Sequence, residues 1–309
     1  MKSAWVVDSA GAPSLQQAET PKPRPQQGEV LVQVRAAGVT PTELLWSTTS
    51  QRKDGSVRTH AIPGHEFSGV IAETGSGVTG YSVGDEIYGL NDWYADGATA
   101  EYCVTVPANI APKPSRLSHP EAATVPIGAL TAWQGLFDHA KLGAGERLLV
   151  HGAAGAVGVF VVQLAARHGA EVIATASARH RDFLLQLGAN QVIDYAATSF
   201  EKSVREMDVV FDGVGGETLT RSWSVLKPSG RMVTIAADSE AAKEERVQKA
   251  FFIVEPNQQQ LIEIGKLLDS GKLRAFVGAE VPLADAPCAY AGKVTRKHGY
   301  GKVVVVLGH

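Results

Sequence analysis

A glycine-rich turn between two apolar stretches constrains this chain more than any other feature. The turn reads Gly152-Ala153-Ala154-Gly155-Ala156-Val157-Gly158. A buried-strand run at 147–151 precedes it, an apolar helical stretch at 157–168 follows, and a second strand run starts at Glu171. This order predicts a βαβ unit whose turn binds a dinucleotide pyrophosphate, because glycines admit the phosphate and the helix start offers free amide donors.

The predicted phosphate contacts lie in the second half of that turn, at Gly155, Ala156 and Val157. Ala153 occupies the place where the first glycine of the dinucleotide fingerprint usually falls. A glycine-rich turn also occurs where packing alone requires one. The flanking strand, helix and second strand favour cofactor binding.

The residues after the second strand predict which dinucleotide is bound. They read Thr175-Ala176-Ser177-Ala178-Arg179-His180-Arg181, without the carboxylate that normally holds a ribose 2′-hydroxyl. A 2′-phosphate requires donors and positive charge, so Ser177 and Arg179 predict NADP(H). The alternative is that the arginines are solvated residues opening a helix, and for Arg181 we prefer that interpretation.

Composition and the pattern of apolar runs divide the chain into two domains. Residues 1–120 and 257–309 are rich in Gly, Pro and short alternating runs, as at 30–34 and 69–72, and predict an irregular β-rich domain. Residues 121–256 alternate short apolar strands with helices and predict a doubly wound parallel sheet. We therefore expect an α/β protein, with a helix at 257–270 and a closing strand at 301–306.

Composition excludes several classes of protein. The chain has 309 residues, 44% hydrophobic, and a formal net charge of −3. That charge gives no bulk reason to bind nucleic acid or an anionic membrane, and no stretch has the length and apolarity of a membrane span. Two cysteines, Cys103 and Cys288, cannot form a disulfide framework. We expect a soluble cytoplasmic protein.

Several separate motifs resemble one family. They are Gly28-Glu29-Val30-Leu31-Val32, Ala37-Gly38-Val39, Pro63-Gly64-His65-Glu66, Gly84-Asp85-Glu86-Ile87-Tyr88-Gly89, Leu130-Thr131-Ala132-Trp133, Asp212-Gly213-Val214-Gly215-Gly216 and Gly301-Lys302-Val303-Val304. In this order they resemble the medium-chain dehydrogenase/reductases, and most closely the quinone oxidoreductase, or zeta-crystallin-like, branch. The resemblance implies a GroES-like irregular β-barrel catalytic domain with an inserted Rossmann domain. Members of the family are commonly dimers, which implies a homodimer here.

The resemblance also implies roles for individual cofactor-side residues. Thr131 is expected near the nicotinamide end, and Tyr195 and Lys302 on the cofactor-binding side. Phe252 and Val254 match the segment that lines the nicotinamide pocket. Plain core packing is the alternative for Phe252 and Val254, and a surface position after a strand is the alternative for Tyr195.

The same resemblance predicts that no catalytic metal is bound. The family's alcohol dehydrogenases hold zinc with a Cys, a His and a second Cys, which fall here on Thr40, on His65 and near Ile127. Only His65 remains, and it does not make a three-ligand zinc site together with Glu66. His65 is then a proton donor, a substrate contact or a packing residue.

Without zinc, the favoured reaction is hydride transfer to a quinone or conjugated enone. Its product is a delocalised phenolate or enolate, which a few hydrogen bonds stabilise, whereas a simple ketone leaves a localised alkoxide. Thr42, at the family's proton-relay position, and Thr40 are the candidate hydroxyls beside His65, although related quinone reductases often have Asn at the position of Thr40. The sequence offers no functional role for three further histidines, and we expect them to be ordinary surface residues: His139, His168 and His180.

Two other functions stay open from the sequence. One is a carbonyl or alcohol dehydrogenase that uses a metal-free relay, and oxidation of saturated alcohols with NADP would identify it. The other is an NADPH-binding protein without turnover, such as a crystallin or a redox sensor.

Overall fold

The computed structural model describes residues 1–9 and 12–308 and contains a mixture of helices and strands. The strands, in chain order, are β1 Lys2–Ser9, β2 Ala12–Glu19, β3 Val30–Gly38, β4 Glu66–Thr74, β5 Glu86–Leu90, β6 Tyr102–Thr105, β7 Ile110–Pro112, β8 Arg147–His151, β9 Glu171–Ala176, β10 Gln191–Asp194, β11 Met207–Asp212, β12 Leu226–Thr234, β13 Val277–Pro282 and β14 Lys302–Val306. The helices are α1 Ser47–Ser50, α2 His119–Ala122, α3 Pro126–Trp133, α4 Gly158–His168, α5 Arg181–Gln186, α6 Gly216–Ser222, α7 Glu245–Ala250, α8 Gln258–Asp269 and α9 Ala286–Tyr290.

The chain forms two compact units. The first contains residues 1–127 and 255–309, and the second contains residues 128–254. The texture of the sequence placed these divisions at 120 and 256. No helix within residues 1–9 and 12–308 has the length and apolarity needed to cross a membrane.

The first unit is built on a mixed sheet whose strands come from both parts of the chain. Its order is β13-β14-β3-β4-β5-β7, and β6 also pairs with β3. Most pairs are antiparallel, but β13 and β14 are parallel. Alternating burial along β3 places Val30, Val32 and Val34 in one core with Phe67 and Ile71. This is the irregular β-rich domain that the sequence predicted.

Helix α8 closes one side of the first unit. Its amphipathic pattern buries Leu261, Ile264 and Leu268, and the Asn257 side chain accepts a hydrogen bond from the Gln260 amide at 3.0 Å. Such an N-cap contributes about 1 kcal/mol. The Tyr88 hydroxyl donates to the Leu261 carbonyl at 2.6 Å, which ties α8 to β5. The predicted helix at 257–270 is therefore present.

The second unit contains a parallel sheet in the order β10-β9-β8-β11-β12. Leu148, Leu149 and Val150 of β8 are fully buried, as expected for a central strand covered on both faces. The strand order reverses between β8 and β11, so their carboxyl ends define a topological switch point. The predicted Rossmann-type sheet is confirmed, and in open α/β sheets the switch point is where ligands generally bind.

Candidate functional site

The glycine-rich turn follows β8 directly and leads into α4. Gly152 has φ +72°, a left-handed conformation that suits glycine. A Cβ on Gly158 would lie 2.6 Å from the Ala153 Cα, so only glycine lets α4 start this close to the strand end. Among the described residues, no side chain caps the start of α4 at Val157. The turn thus offers close backbone approach and helix amides to an anion, as the pyrophosphate prediction requires.

A second turn at the switch point is held by a buried carboxylate. Asp212, at the end of β11, accepts hydrogen bonds from the Val214 and Gly215 amides at 3.1 Å or slightly longer, and from the Thr234 hydroxyl at 2.8 Å. Burial raises the pKa of Asp212, and these donors oppose that shift. The Asp212 carboxylate therefore fixes the 212–216 loop beside β8, the strand that precedes the glycine-rich turn.

The predicted 2′-phosphate residues lie together after β9. Ser177 is half-buried, Arg179 is exposed, and both belong to the short turn that connects β9 to α5. Arg181 donates to the Val192 carbonyl at 3.0 Å, so its guanidinium is engaged by the protein. The donor set of one hydroxyl and one exposed guanidinium suits a phosphate dianion, and the residues present fit a nicotinamide dinucleotide.

The remaining predicted cofactor residues of the second unit differ in burial. Thr131, Phe252 and Val254 are buried, and Phe252 stacks on His139 with ring centroids 4.3 Å apart. Tyr195 is 67% exposed. Their roles toward nicotinamide stay predictions.

His180 corrects the sequence interpretation, because it is not a surface residue. Its exposure is 7%, and its Nδ1 lies 3.2 Å from the Ser177 hydroxyl oxygen. The pattern of apolar and polar residues after β9 does not indicate that the His180 side chain is buried. By contrast, His139 and His168 are exposed, as expected.

The first unit contains a buried carboxylate–imidazole pair that sequence reasoning missed. Glu43 Oε1 contacts His65 Nδ1 and accepts the Gly64 amide at 2.9 Å. His65 Nε2 lies 3.1 Å from the Ala95 carbonyl, which only accepts, so Nε2 carries a hydrogen. Both ring nitrogens are therefore engaged by the protein. The only sequence signal for Glu43 was an acidic residue beside the Thr40-Pro41-Thr42 motif.

A second buried pair joins Glu66 to Lys302. Lys302 Nζ contacts Glu66 Oε1 in an ion pair, and the Ile127 amide donates to Glu66 Oε2 at 3.1 Å. A Cβ on Gly38 would overlap the Glu66 side chain, which explains glycine at that position. Burial lowers the pKa of Lys302, and the negative charge of Glu43 opposes that shift.

The candidate hydroxyls of the first unit lie beside these pairs. Lys302 Nζ donates to the Thr40 hydroxyl oxygen at 3.4 Å, which leaves the Thr40 hydrogen available to another acceptor. Thr42 lies on the 3₁₀ turn Pro41–Leu45 and is exposed. The structure thus gathers Thr40, His65 and Lys302 around Glu43 and Glu66, within one unit.

Trp93 lies next to the imidazole, and Trp46 packs on Trp93. The Trp46 and Trp93 rings are edge to face with centroids 5.1 Å apart, and the Trp93 ring is 5.2 Å from that of His65. The loop that carries Trp93 is fastened by Arg58, which donates to the Ala95 carbonyl at 2.6 Å and to Asp96 at 2.7 Å. The two tryptophans therefore form one aromatic pair, which contacts His65 through Trp93.

Comparison with known proteins places this chain in a family. Residues 26–115 match the model of the alcohol dehydrogenase GroES-like domain, and residues 187–305 match that of the zinc-binding dehydrogenase. A probable zinc-binding oxidoreductase of Arthroderma benhamiae is 32% identical, over 94% of this chain and 92% of that protein. A 2-methylene-furan-3-one reductase of Solanum lycopersicum is 31% identical, over 91% of this chain and 72% of that protein. The quinone oxidoreductase structure from Coxiella burnetii superposes with a TM-score of 0.87 at 28% identity, covering 100% and 99% of the two chains.

The chain belongs to the medium-chain dehydrogenase/reductase superfamily and, within it, to the quinone oxidoreductase-like branch. It is an oxidoreductase, and its fold is one that binds a nicotinamide cofactor. Within the described residues there is no group of three or more His, Cys, Asp or Glu side chains arranged to hold a metal ion.

Proposed function

We propose that this protein is an NADPH-dependent, zinc-independent reductase that transfers hydride to a quinone or an α,β-unsaturated carbonyl. The observation that carries the proposal is the state of the two side chains of the Pro63-Gly64-His65-Glu66 motif that are able to bind a metal. His65 is engaged by Glu43 and the Ala95 carbonyl, and Glu66 is engaged by Lys302 and the Ile127 amide. With Thr40 and Ile127 at the two cysteine positions, the residues around His65 do not offer a zinc ligand set.

The cofactor choice follows from the turn after β9. Ser177 and Arg179 provide a hydroxyl and a guanidinium where an NAD-binding protein normally has a carboxylate. The exposed guanidinium is able to form a charge-assisted, bidentate pair with a phosphate. Both features favour NADPH over NADH.

The proposed reaction needs little assistance from side chains. Bound NADPH supplies the hydride, and the acceptor becomes a phenolate or an enolate that later takes a proton. In this proposal the Thr42 and Thr40 hydroxyls donate to the developing oxyanion, and Lys302 orients Thr40 by donating to its oxygen. His65 acts as a support for the site, since both of its nitrogens are already bonded.

The experiment is NADPH oxidation measured with a panel of quinones, alkenals, enones, saturated ketones and saturated aldehydes. We expect turnover with members of the first three groups and at least a hundredfold lower kcat/KM with the saturated carbonyls, about 3 kcal/mol of transition-state discrimination. Comparable rates with saturated ketones, together with NADP-dependent oxidation of saturated alcohols, would support the carbonyl or alcohol dehydrogenase instead. Tight NADPH binding without oxidation by any acceptor would indicate a non-catalytic binding protein.

A further inference from the structure

The turn between β9 and α5 contains a histidine that the proposed 2′-phosphate contacts leave unexplained. His180 is buried, whereas Arg179 beside it is exposed and Ser177 is half-buried. The His180 amide donates to the Ser177 carbonyl at 2.9 Å and closes the turn. The two side chains also meet, with His180 Nδ1 3.2 Å from Ser177 Oγ. The backbone and the side-chain contact therefore hold Ser177 and His180 in a fixed position relative to each other.

The hydrogen in the contact between Ser177 and His180 determines what Ser177 presents to a ligand. A serine hydroxyl has one hydrogen to donate. If Ser177 gave it to His180, only oxygen lone pairs would face outward, and these repel phosphate oxygens. If Nδ1 carries the hydrogen instead, Ser177 accepts from it and its own hydrogen is free for the phosphate.

The charge around His180 favours a neutral ring. Burial lowers the pKa of His180, and the neighbouring positive charge of Arg179 lowers it further. A neutral imidazole carries one hydrogen, which is available on Nδ1 in one of its two tautomers. His180 is thus able to donate to Ser177 without adding a charge to the site.

We propose that His180 is a positioning residue for the 2′-phosphate of the cofactor. It donates from Nδ1 to Ser177 Oγ and so directs the Ser177 hydrogen toward the phosphate, beside the Arg179 guanidinium. This inference rests on the proposed preference for NADPH and adds a third residue to the recognition of its phosphate. His180 itself makes no contact with the ligand.

Calorimetric titration with adenosine 2′,5′-bisphosphate and with 5′-AMP tests the role without any turnover. The two probes differ only in the 2′-phosphate. Loss of one hydrogen bond to a charged group corresponds to about a tenfold weakening. We expect His180→Gln to weaken the bisphosphate about tenfold and to change 5′-AMP less than twofold.

His180→Asn is the matched variant, because its amide nitrogen replaces Nδ1, whereas the amide of glutamine replaces Nε2. We expect His180→Asn to bind the bisphosphate within about threefold of the parent. In a Ser177→Ala background, neither substitution should weaken the bisphosphate further, because the hydroxyl that His180 orients is gone. Arg179→Ala should weaken the bisphosphate by about one to two decades in either background.

The outcomes distinguish a failure of the proposed role of His180 from a failure of the proposed preference for NADPH. A parent that binds the bisphosphate no tighter than 5′-AMP would overturn the preference for NADPH, and the role of His180 with it. If the parent prefers the bisphosphate but the Asn and Gln variants bind it equally well, the role of His180 alone is overturned. A parallel loss of both probes in both variants would make His180 a packing residue and also overturn the inference.

Discussion

At the scale of single residues, the first unit separates the side chains that support the site from those able to act in it. His65 has no nitrogen left for a substrate, because Glu43 and the Ala95 carbonyl bind both. Thr42 is exposed on its 3₁₀ turn, and Thr40 receives a hydrogen bond from Lys302. If the chain is the proposed reductase, the hydroxyls and not the imidazole are the donors to the acceptor oxygen.

This separation gives a prediction for Thr42. Thr42→Val should lower turnover by about tenfold to a thousandfold, which is the range for loss of one oxyanion donor, and should leave NADPH affinity unchanged. Thr42→Ser, which keeps the hydroxyl, is the control and should retain most of the rate. Steady-state kinetics and NADPH titration measure both quantities. Equal turnover in the valine variant and the parent would show that the Thr42 hydroxyl does not donate to the oxyanion.

At the scale of elements, one buried histidine connects two strands and a helix of the second unit. His151, at the end of β8, contacts the Thr175 hydroxyl of β9 at 2.9 Å through Nδ1 and the Ser222 hydroxyl of α6 at 3.0 Å through Nε2. Ser222 donates its own hydrogen to the Thr218 carbonyl at 2.6 Å, so it accepts from His151. A neutral imidazole satisfies this arrangement, and burial lowers the pKa of His151 to about 4.

The lowered pKa predicts a window of acid sensitivity. In the unfolded chain His151 binds a proton below its ordinary pKa of 6.5, whereas in the folded protein it does so only below about pH 4. The stability of the folded protein therefore falls as the pH decreases from 6.5 to about 4. The full effect is about 3 kcal/mol. We expect the free energy of unfolding, measured in urea, to decrease between pH 7 and pH 4 in both proteins. The decrease should be larger by this amount in the parent than in His151→Gln.

The control for this measurement is His168→Gln, which changes an exposed histidine at the end of α4 in the same unit. It should keep the pH dependence of the parent. An unchanged pH dependence in His151→Gln would show that the folded protein and the unfolded chain protonate this imidazole at the same pH, and would contradict the lowered pKa.

At the scale of the whole molecule, the absence of both cysteine ligands leads to a prediction about metal content. The purified protein should contain far less than one zinc per chain and keep its activity in a chelator, because His65 and Glu66 are bound by protein groups. Elemental analysis and activity after treatment with EDTA measure this. About one zinc per chain, with inactivation by the chelator, would contradict it.

The sequence predicted the architecture well, since its signals were local. Short apolar strands, a glycine turn and an apolar helix identified β8, α4 and β9 to within one or two residues. The family motifs likewise indicated the two kinds of domain. These features depend on neighbours along the chain, where periodicity carries the information.

The sequence did not predict the buried polar pairs, because they join residues far apart in the chain. Lys302 and Glu66 are 236 positions apart, and Glu43 and His65 are 22 apart. His180 was placed on the surface, although the turn after β9 buries it. Burial of a polar side chain depends on tertiary packing, which spacing along one segment does not encode.

The pairing of β14 with β3 has a consequence for synthesis on the ribosome. Val304, Val305 and Val306 occupy positions opposite Gly38, Ala37 and Ala36, so part of one edge of β3 is completed only by residues near the end of the chain. The nascent chain carries that edge unpaired while more than 250 further residues are translated. An open edge is a template for pairing with other chains. The inserted unit, residues 128–254, emerges before β14 with all five of its paired strands. It is therefore able to fold while the edge of β3 is still open to pairing with other chains.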